Sequence, residues 1–304
     1  MVSNALFCYD LPSVHKPAFM LNIDLHCHSN VSDGLLSPAA LVERAAANGV
    51  EVLALTDHDD MAGLDEAREA AGRMGIGFIN GVEISVTWKN RVLHVVGLNV
   101  DPSCSALRQG LSRIRAGRAE RAIGIAAQLD AAGIPGSLEG AYAFAENKQL
   151  IGRSHFARFL VAQGYVKDVR TVFKKYLVKG KPGYVSHQWA ELAEALGWIK
   201  ASGGVAVLAH PGRYDLGATS MRALLAEFKE AGGEAIEVVT ASHTPQQFAL
   251  FAKHATDFGL LASRGSDFHG PGESFLEPGR LPNLPTACIP VWHDWPQAAL
   301  SAQL

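Results

Sequence analysis

The chain has 304 residues, 48% of them hydrophobic, and a formal net charge of −3. That is enough apolar material for one large core, or a core with an inserted subdomain. The charge excludes a surface coated with cations, so no stable duplex DNA binding is expected. No apolar run approaches the length that spans a bilayer, which argues against a membrane partner. The four cysteines (Cys8, Cys27, Cys104, Cys288) show no CxxC spacing; they read as free thiols of a cytoplasmic protein.

In chain order, residues 1–19 lack the basic start, long apolar stretch and small-residue cleavage site of a secretory signal; they read as a disordered leader, with Met20 as an alternative start. Apolar, β-branched runs then predict strands at 21–26, 51–56, 76–79, 92–97, 205–209, 235–239 and 259–263. Ala/Leu-rich stretches predict helices at 38–48, 60–74, 189–202, 218–231 and 245–258, each stopping near a glycine. Such alternation implies a parallel sheet, and seven strands suggest an α/β barrel one unit short of the eight-fold form. The polar pair Lys89-Asn90 between two strands predicts a local hairpin that breaks the rhythm. Residues 103–186 show short helical patterns and no convincing strand, and are read as an α-helical insertion over the barrel mouth. They carry 14 Lys and Arg against 5 Asp and Glu, whereas the rest of the chain carries 13 against 25. The barrel is therefore assigned to 20–102 and 187–275. The tail 276–304, with Pro278, Pro282, Pro285, Pro290 and Pro296, is read as an extended wrap along it.

The strand ends carry the chemistry. His26 and His28 stand two apart, so both imidazoles project to one side and Cys27 to the other. Asp33 follows in the next loop. The run Val52–Thr56 ends in Asp57-His58-Asp59, the run Phe78–Val82 in Glu83, and the run Val205–Ala209 in His210-Pro211; His94 lies in the fourth strand, and Asp267-Phe268-His269 follows the last. A lone histidine on an apolar strand is ordinarily a satisfied core residue. Many polar groups buried together without an ion would instead leave unpaired groups at about 1–3 kcal/mol each. Nitrogen and oxygen donors without a cysteine motif suit Mn²⁺, Fe²⁺ or Zn²⁺, and nine candidates suit a cluster of two or three ions. Asp57 and Asp59 read as supporting or capping groups.

The series His26-x-His28, Thr56-Asp57-His58-Asp59, Glu83, His94, Ala209-His210-Pro211 and Asp267-x-His269 resembles the polymerase-and-histidinol-phosphatase (PHP) family of the amidohydrolase superfamily. The resemblance implies a distorted (β/α)7 barrel and a di- or trinuclear centre, with Mn²⁺ the expected metal, that hydrolyses phosphoesters. It assigns His26, His28, Glu83 and Asp267 to one metal. Glu83 bridges to a second metal held by His94 and His210, and Asp33, His58 and His269 hold a third. His155 is an alternative ligand.

Within the insertion, Ile151–Arg158 and Gly180–Trp189 are dense in phosphate-binding types, notably Arg153, Ser154, His155, Lys181 and His187; His243 is a further candidate. A basic run is ordinarily a solvated helix face. These segments are similar to the nucleoside 3′,5′-bisphosphate phosphatase and 5′-to-3′ exoribonuclease branch of the family. That resemblance implies removal of the 3′-phosphate from a bisphosphonucleotide, and trimming of short 5′-phosphorylated RNA. Divalent ions would activate water for in-line attack, with Glu83 and His58 as catalytic residues and either His58 or water protonating the leaving oxygen. The partner is thus a small anionic nucleotide or short RNA. The competing readings are a histidinol-phosphate phosphatase and a non-catalytic metal- or RNA-binding module.

Overall fold

A computed structural model describes residues 21–296 and 300; the expected leader, Met20 and Cys8 lie outside the described residues. Two strand–helix units come first: β1 (Ile23–Asp24), α1 (Pro38–Ala47), β2 (Val52–Leu55) and α2 (Leu64–Met74). The hairpin follows, as β3 (Gly77–Trp88) and β4 (Arg91–Leu98). The basic segment is helical: α3 (Ser105–Ala131), α4 (Ser137–Tyr142), α5 (Arg153–Ala162) and α6 (Val169–Val172), the last running into a π-helical turn at Phe173–Leu177. The barrel resumes with β5 (Ala190–Glu191), α7 (Leu192–Ala201), β6 (Val205–Leu208), α8 (Ala218–Glu230), β7 (Ala235–Thr240), α9 (Pro245–Phe258) and β8 (Leu261–Gly265).

Seven strands run in the order β1-β2-β3-β4-β6-β7-β8, with β5 paired to β3 outside that path. The Leu25 N–H donates to the Arg264 carbonyl at 3.1 Å, and Cys27 bridges Phe268 in parallel, so the last strand returns to the first. The result is a nearly closed, distorted seven-stranded barrel. Strand β4 alone runs against its neighbours β3 and β6. The cause is the Lys89-Asn90 turn, whose φ values of 46° and 61° match the two-residue turn that twists with its strands.

Three boundaries differ from the sequence expectation by more than two residues. The strand expected at 76–79 continues to Trp88, so Glu83 lies mid-strand, not at a strand end. Val82, Ile84 and Val86 are fully buried on one face while Glu83, Ser85 and Thr87 alternate with them, and those polar residues hid the strand. The helix expected from 60 starts at Leu64, because the Asp60 carboxylate accepts the Met61 and Ala62 N–H groups (2.7 and 3.0 Å) and makes a turn there. The helix expected from 189 starts at Leu192, because Ala190 and Glu191 pair with Val86 and Thr87. Other ends follow their caps. Ser37 Oγ accepts from Ala40 N–H ahead of α1, and Thr244 and Gln247 form a capping box on α9.

Helix α3 belongs to two cores. Leu107, Leu111 and Ile114 pack with barrel residues such as Ile84 and Leu196, whereas Ile125 and Leu129 pack with Phe156, Leu160 and Leu177 of the insertion. Gly110 brings α3 against Trp198, whose ring would lie 2.4 Å from any added Cβ. Within the tail, Val291 N–H donates to Ala262, and Val291 and Trp292 pack with Ile23, Ile79 and Val207 of the barrel.

Candidate metal centre

All nine candidate ligands converge at one end of the barrel. Their donor atoms form four groups, each within 4.8 Å: His28–Asp33–His58–His269, His26–Glu83–His210, His26–His28–Asp267 and His58–Glu83–His94. Glu83, fully buried, is the hub. Its Oε1 lies 2.9 Å from both His94 Nδ1 and His210 Nε2 and 3.3 Å from His26 Nε2; its Oε2 lies 2.8 Å from His58 Nδ1 and 3.4 Å from His28 Nε2. Asp267 Oδ1 stands 3.3 Å from His28 Nε2, and Asp33 Oδ1 stands 3.4 Å from His269 Nε2.

Several of these donors lack a hydrogen-bond partner. His26 and His28 bring their Nε2 atoms within 3.1 Å of each other. His58 Nδ1 and Glu83 Oε2 are close but off the line of a hydrogen bond, and Asp33 Oδ1, His28 Nδ1 and His210 Nδ1 are also buried without a hydrogen-bond partner. Such groups are costly to bury unless something positive sits among them. Burial, with His269 and His58 beside it, lowers the pKa of His28 to about 3; burial lowers that of His94 to about 4. Both rings thus keep lone pairs free for a ligand. Burial alone would raise the Glu83 carboxyl, yet His94, His58 and His26 hold it well below the usual range.

The groups behind the donors are equally specific. Glu237 on β7 takes His26 Nδ1 at 2.8 Å on one oxygen and the His210 N–H at 2.6 Å on the other. Asp57 accepts from Ser29 N–H, Ser29 Oγ and Ser32 Oγ, bracing the loop between His28 and Asp33; burial raises its pKa to about 6 despite those donors. Asp59 accepts from Ser85 N–H and Oγ and pairs with Arg118. Neither Asp57 nor Asp59 joins a donor group. His210, Asp267 and Asp59 all hold positive φ (28°, 52° and 52°), backbone strain concentrated at this one end of the barrel.

The anion-binding candidates divide. Arg153 lies over Phe173, with a 3.4 Å contact to the Leu177 carbonyl. His187 stacks edge-on against Trp189, whose other neighbours are the guanidinium groups of Arg118 and Arg121, 5.0 and 5.2 Å from the ring centroid. The other four are engaged elsewhere or stand apart. Ser154 donates to Asp33 at 2.7 Å, and His155 Nδ1 accepts from Gly152 N–H in a cap of α5. His243 uses both ring nitrogens on backbone, at Gly212 N–H and the Val238 carbonyl. Lys181 is exposed on the insertion and joins none of the hydrogen bonds of the cluster.

Sequence reasoning missed Arg121, Arg213 and Glu237. Arg121 is 9% exposed, and among the described residues it meets no carboxylate; its hydrogen bond is a long one to the Val185 carbonyl. Burial, then the charges of Arg153 and Arg118, lowers its pKa to about 9. Arg213 donates to Asp267 Oδ2 at 2.7 Å. Glu237 had a legible signal, an acid inside the apolar run Ala235–Thr240.

A nearly closed α/β barrel with histidines and carboxylates gathered at one end defines the class of metal-centred barrel proteins. Within it the chain belongs to the PHP domain family, whose model matches residues 24–241. It is 54% identical over 275 residues to the 3′,5′-nucleoside bisphosphate phosphatase of Chromobacterium violaceum, covering 90% of this chain and 96% of that protein. It is 45% identical over 276 residues to the 5′-3′ exoribonuclease Rnm of Escherichia coli, covering 90% and 94%. The solved structure of an amidohydrolase from Chromobacterium violaceum, with sulfate bound and no metal, matches with a TM-score of 0.87 at 54% identity, over 89% of this chain and 94% of that one.

Proposed function

We propose that this chain is a metal-dependent phosphoesterase that removes the 3′-phosphate from nucleoside 3′,5′-bisphosphates and also trims short 5′-phosphorylated RNA. One observation carries the reading: beside the donor cluster, where Arg153 feels the charge of Asp33, stand two guanidinium groups, Arg121 and Arg153, that form no ion pair with a carboxylate among the described residues. A substrate with two phosphates answers both features, one phosphate at the cluster and the other between the arginines. The names of the relatives support the same choice.

The donor set suits three cation positions, with Glu83 shared among His26, His58, His94 and His210 and with Asp267 and Asp33 completing the outer two. Mn²⁺ is the proposed occupant, and imidazole and carboxylate donors without thiolate accommodate it as they do Fe²⁺ or Zn²⁺. Bound cations would supply Lewis acidity, making water nucleophilic near neutral pH and offsetting charge on phosphate oxygens. The chain's own residues do the rest. Glu237 fixes the ring of His26 and the backbone of His210. Arg118, tied to Asp59, stacks on Trp189 and walls the site beside Arg121. Arg121 and Arg153 hold the second phosphate, and so align the scissile one. Free Cys27, Cys104 and Cys288 agree with a reducing cytoplasm, and among the described residues no helix is long and apolar enough to cross a membrane.

The test is to prepare the protein with Mn²⁺, count ions per chain, and compare adenosine 3′,5′-bisphosphate, 5′-phosphorylated oligoribonucleotides and histidinol phosphate. Preference for the bisphosphate by at least tenfold in kcat/KM is expected. Preference for histidinol phosphate, whose ammonium group would face Arg121 and Arg153, would refute the assignment.

A further inference from the structure

The helical insertion does more than cover the mouth, because two of its side chains are committed to the donor cluster itself. We propose that α5 completes one cation position, that of His28, Asp33, His58 and His269, with Ser154 and Arg158 as positioning residues for Asp33. The inference rests on the metal reading above and goes beyond it. It divides the cluster into a part the barrel builds alone and a part the insertion must finish.

Ser154 Oγ donates to Asp33 Oδ2 at 2.7 Å. That bond turns the other oxygen, Oδ1, toward His269 Nε2 (3.4 Å) and His58 Nε2 (3.8 Å), where it has no hydrogen-bond partner. Arg158 acts on the backbone. Its Nη2 donates to the Asp33 carbonyl at 2.5 Å, and its Nε and Nη2 fork onto Glu273 at 2.9 and 2.8 Å. Glu273 belongs to the turn whose Ser274 hydroxyl accepts the His269 and Gly270 N–H groups at 2.7 and 3.3 Å. Leu35 N–H in turn donates to the His269 carbonyl at 2.6 Å. One guanidinium thus ties together the two loops that deliver Asp33 and His269.

The other side of the Asp33 loop is already held by Asp57 through Ser29 and Ser32. Those bonds fix where the loop lies, but none of them touches the Asp33 carboxylate, so its rotation is set from α5. Of the four donor groups only this one contains Asp33; His26, Glu83 and His210 come wholly from the barrel. A carboxylate on a loop reaches a metal in the right orientation only when its second oxygen is fixed by a partner.

The experiment uses full-length protein stripped of metal, as wild type and as Ser154→Ala, Ser154→Thr and Arg158→Gln. Mn²⁺ is titrated in by calorimetry, bound manganese is counted by elemental analysis, and the electron paramagnetic resonance spectrum of the loaded protein is recorded. Ser154→Ala is expected to bind one ion per chain about 10–100-fold more weakly, with the remaining ions unchanged. The spin-coupled manganese signal should change, and kcat should fall while KM holds. Ser154→Thr, which keeps the hydroxyl, should restore all three readouts, and Arg158→Gln should weaken the same ion. Ser154→Ala is expected to melt where the wild type does when both are metal-free, which separates positioning from folding. A Ser154→Ala protein that holds the full complement of ions as tightly as wild type overturns the proposal while leaving the metal reading intact. A wild type that takes up no manganese overturns both.

Discussion

Replacing Arg121 with Met should make the protein more stable and less selective at once. The guanidinium is 9% exposed, lies on Trp189, and has Arg118 and Arg153 rather than a carboxylate for company. Its pKa falls from an ordinary 12.5 to about 9, burial being the larger cause. A cation whose folded-state pKa lies below its unfolded value destabilises the fold at every pH under about 9, and the penalty fades as pH rises from there toward 12.5. At 1.36 kcal/mol for each tenfold change, the upper bound is about 5 kcal/mol. Swaps of buried charge for well-packed apolar groups have given about 1–4 kcal/mol, and about 2 kcal/mol of desolvated cation–π contact is lost. A net gain of up to about 2 kcal/mol is therefore expected, which is roughly 2 °C in Tm per kcal/mol for a chain of this size. Kinetics on the same variant supply the second half. The kcat/KM for a nucleoside 3′,5′-bisphosphate should fall about 10–100-fold, the worth of one charge-assisted hydrogen bond of about 1.5–3 kcal/mol. Turnover of an aryl monophosphate should stay within twofold. A lower Tm for the metal-free variant, or equal loss on both substrates, would refute the idea that this arginine is held in reserve for a substrate anion.

Glu237→Gln should weaken Mn²⁺ binding about 10–100-fold in calorimetric titration, because the orientation of His26 and His210 depends on that carboxylate; unchanged affinity would count against it. Arg118→Met leaves Asp59 buried with only its Ser85 donors and should lose about 3–5 kcal/mol in urea denaturation. Adding Asp59→Asn should return at least half of that loss, and a double variant worse than the sum of the singles would contradict the pairing. Stripping metal with a chelator should abolish phosphatase activity and lower Tm, and restoring Mn²⁺ at 100 times its Kd should return about 2.7 kcal/mol of stability. A melting curve indifferent to the chelator would show that the cluster holds no ion.

The donor residues were legible because histidines and acids recur at or just past the ends of apolar runs, where a polar side chain needs a reason to be. The same logic reaches Glu237 once β7 is treated like β3. Arg118 and Arg121 were not legible in this way. They lie on a 27-residue helix, three residues apart among several other arginines, and only the position of Trp189 reveals which guanidinium groups turn inward. Ser154, His155 and His243 carry a weaker signal. Their types suit phosphate, and a hydroxyl or imidazole also serves a neighbouring carboxylate or backbone amide, as each does here. The barrel's strand count and the reversed hairpin followed from periodicity and one turn; the length of β3 did not, because Glu83, Ser85 and Thr87 look like loop residues until their alternate neighbours are seen to be buried.

Helix α3 has a bearing on how the molecule can change. Its first half is a structural member of the barrel and its second half of the insertion, with Arg118 and Arg121 near the junction. Excising residues 103–186 would take Leu107, Leu111 and Ile114 out of the barrel's core, so the two cores are tied together through one helix. Variation in substrate preference is thereby channelled away from swapping the whole cap. It is directed toward the short α4–α6 region, which contributes no residue to the barrel's core.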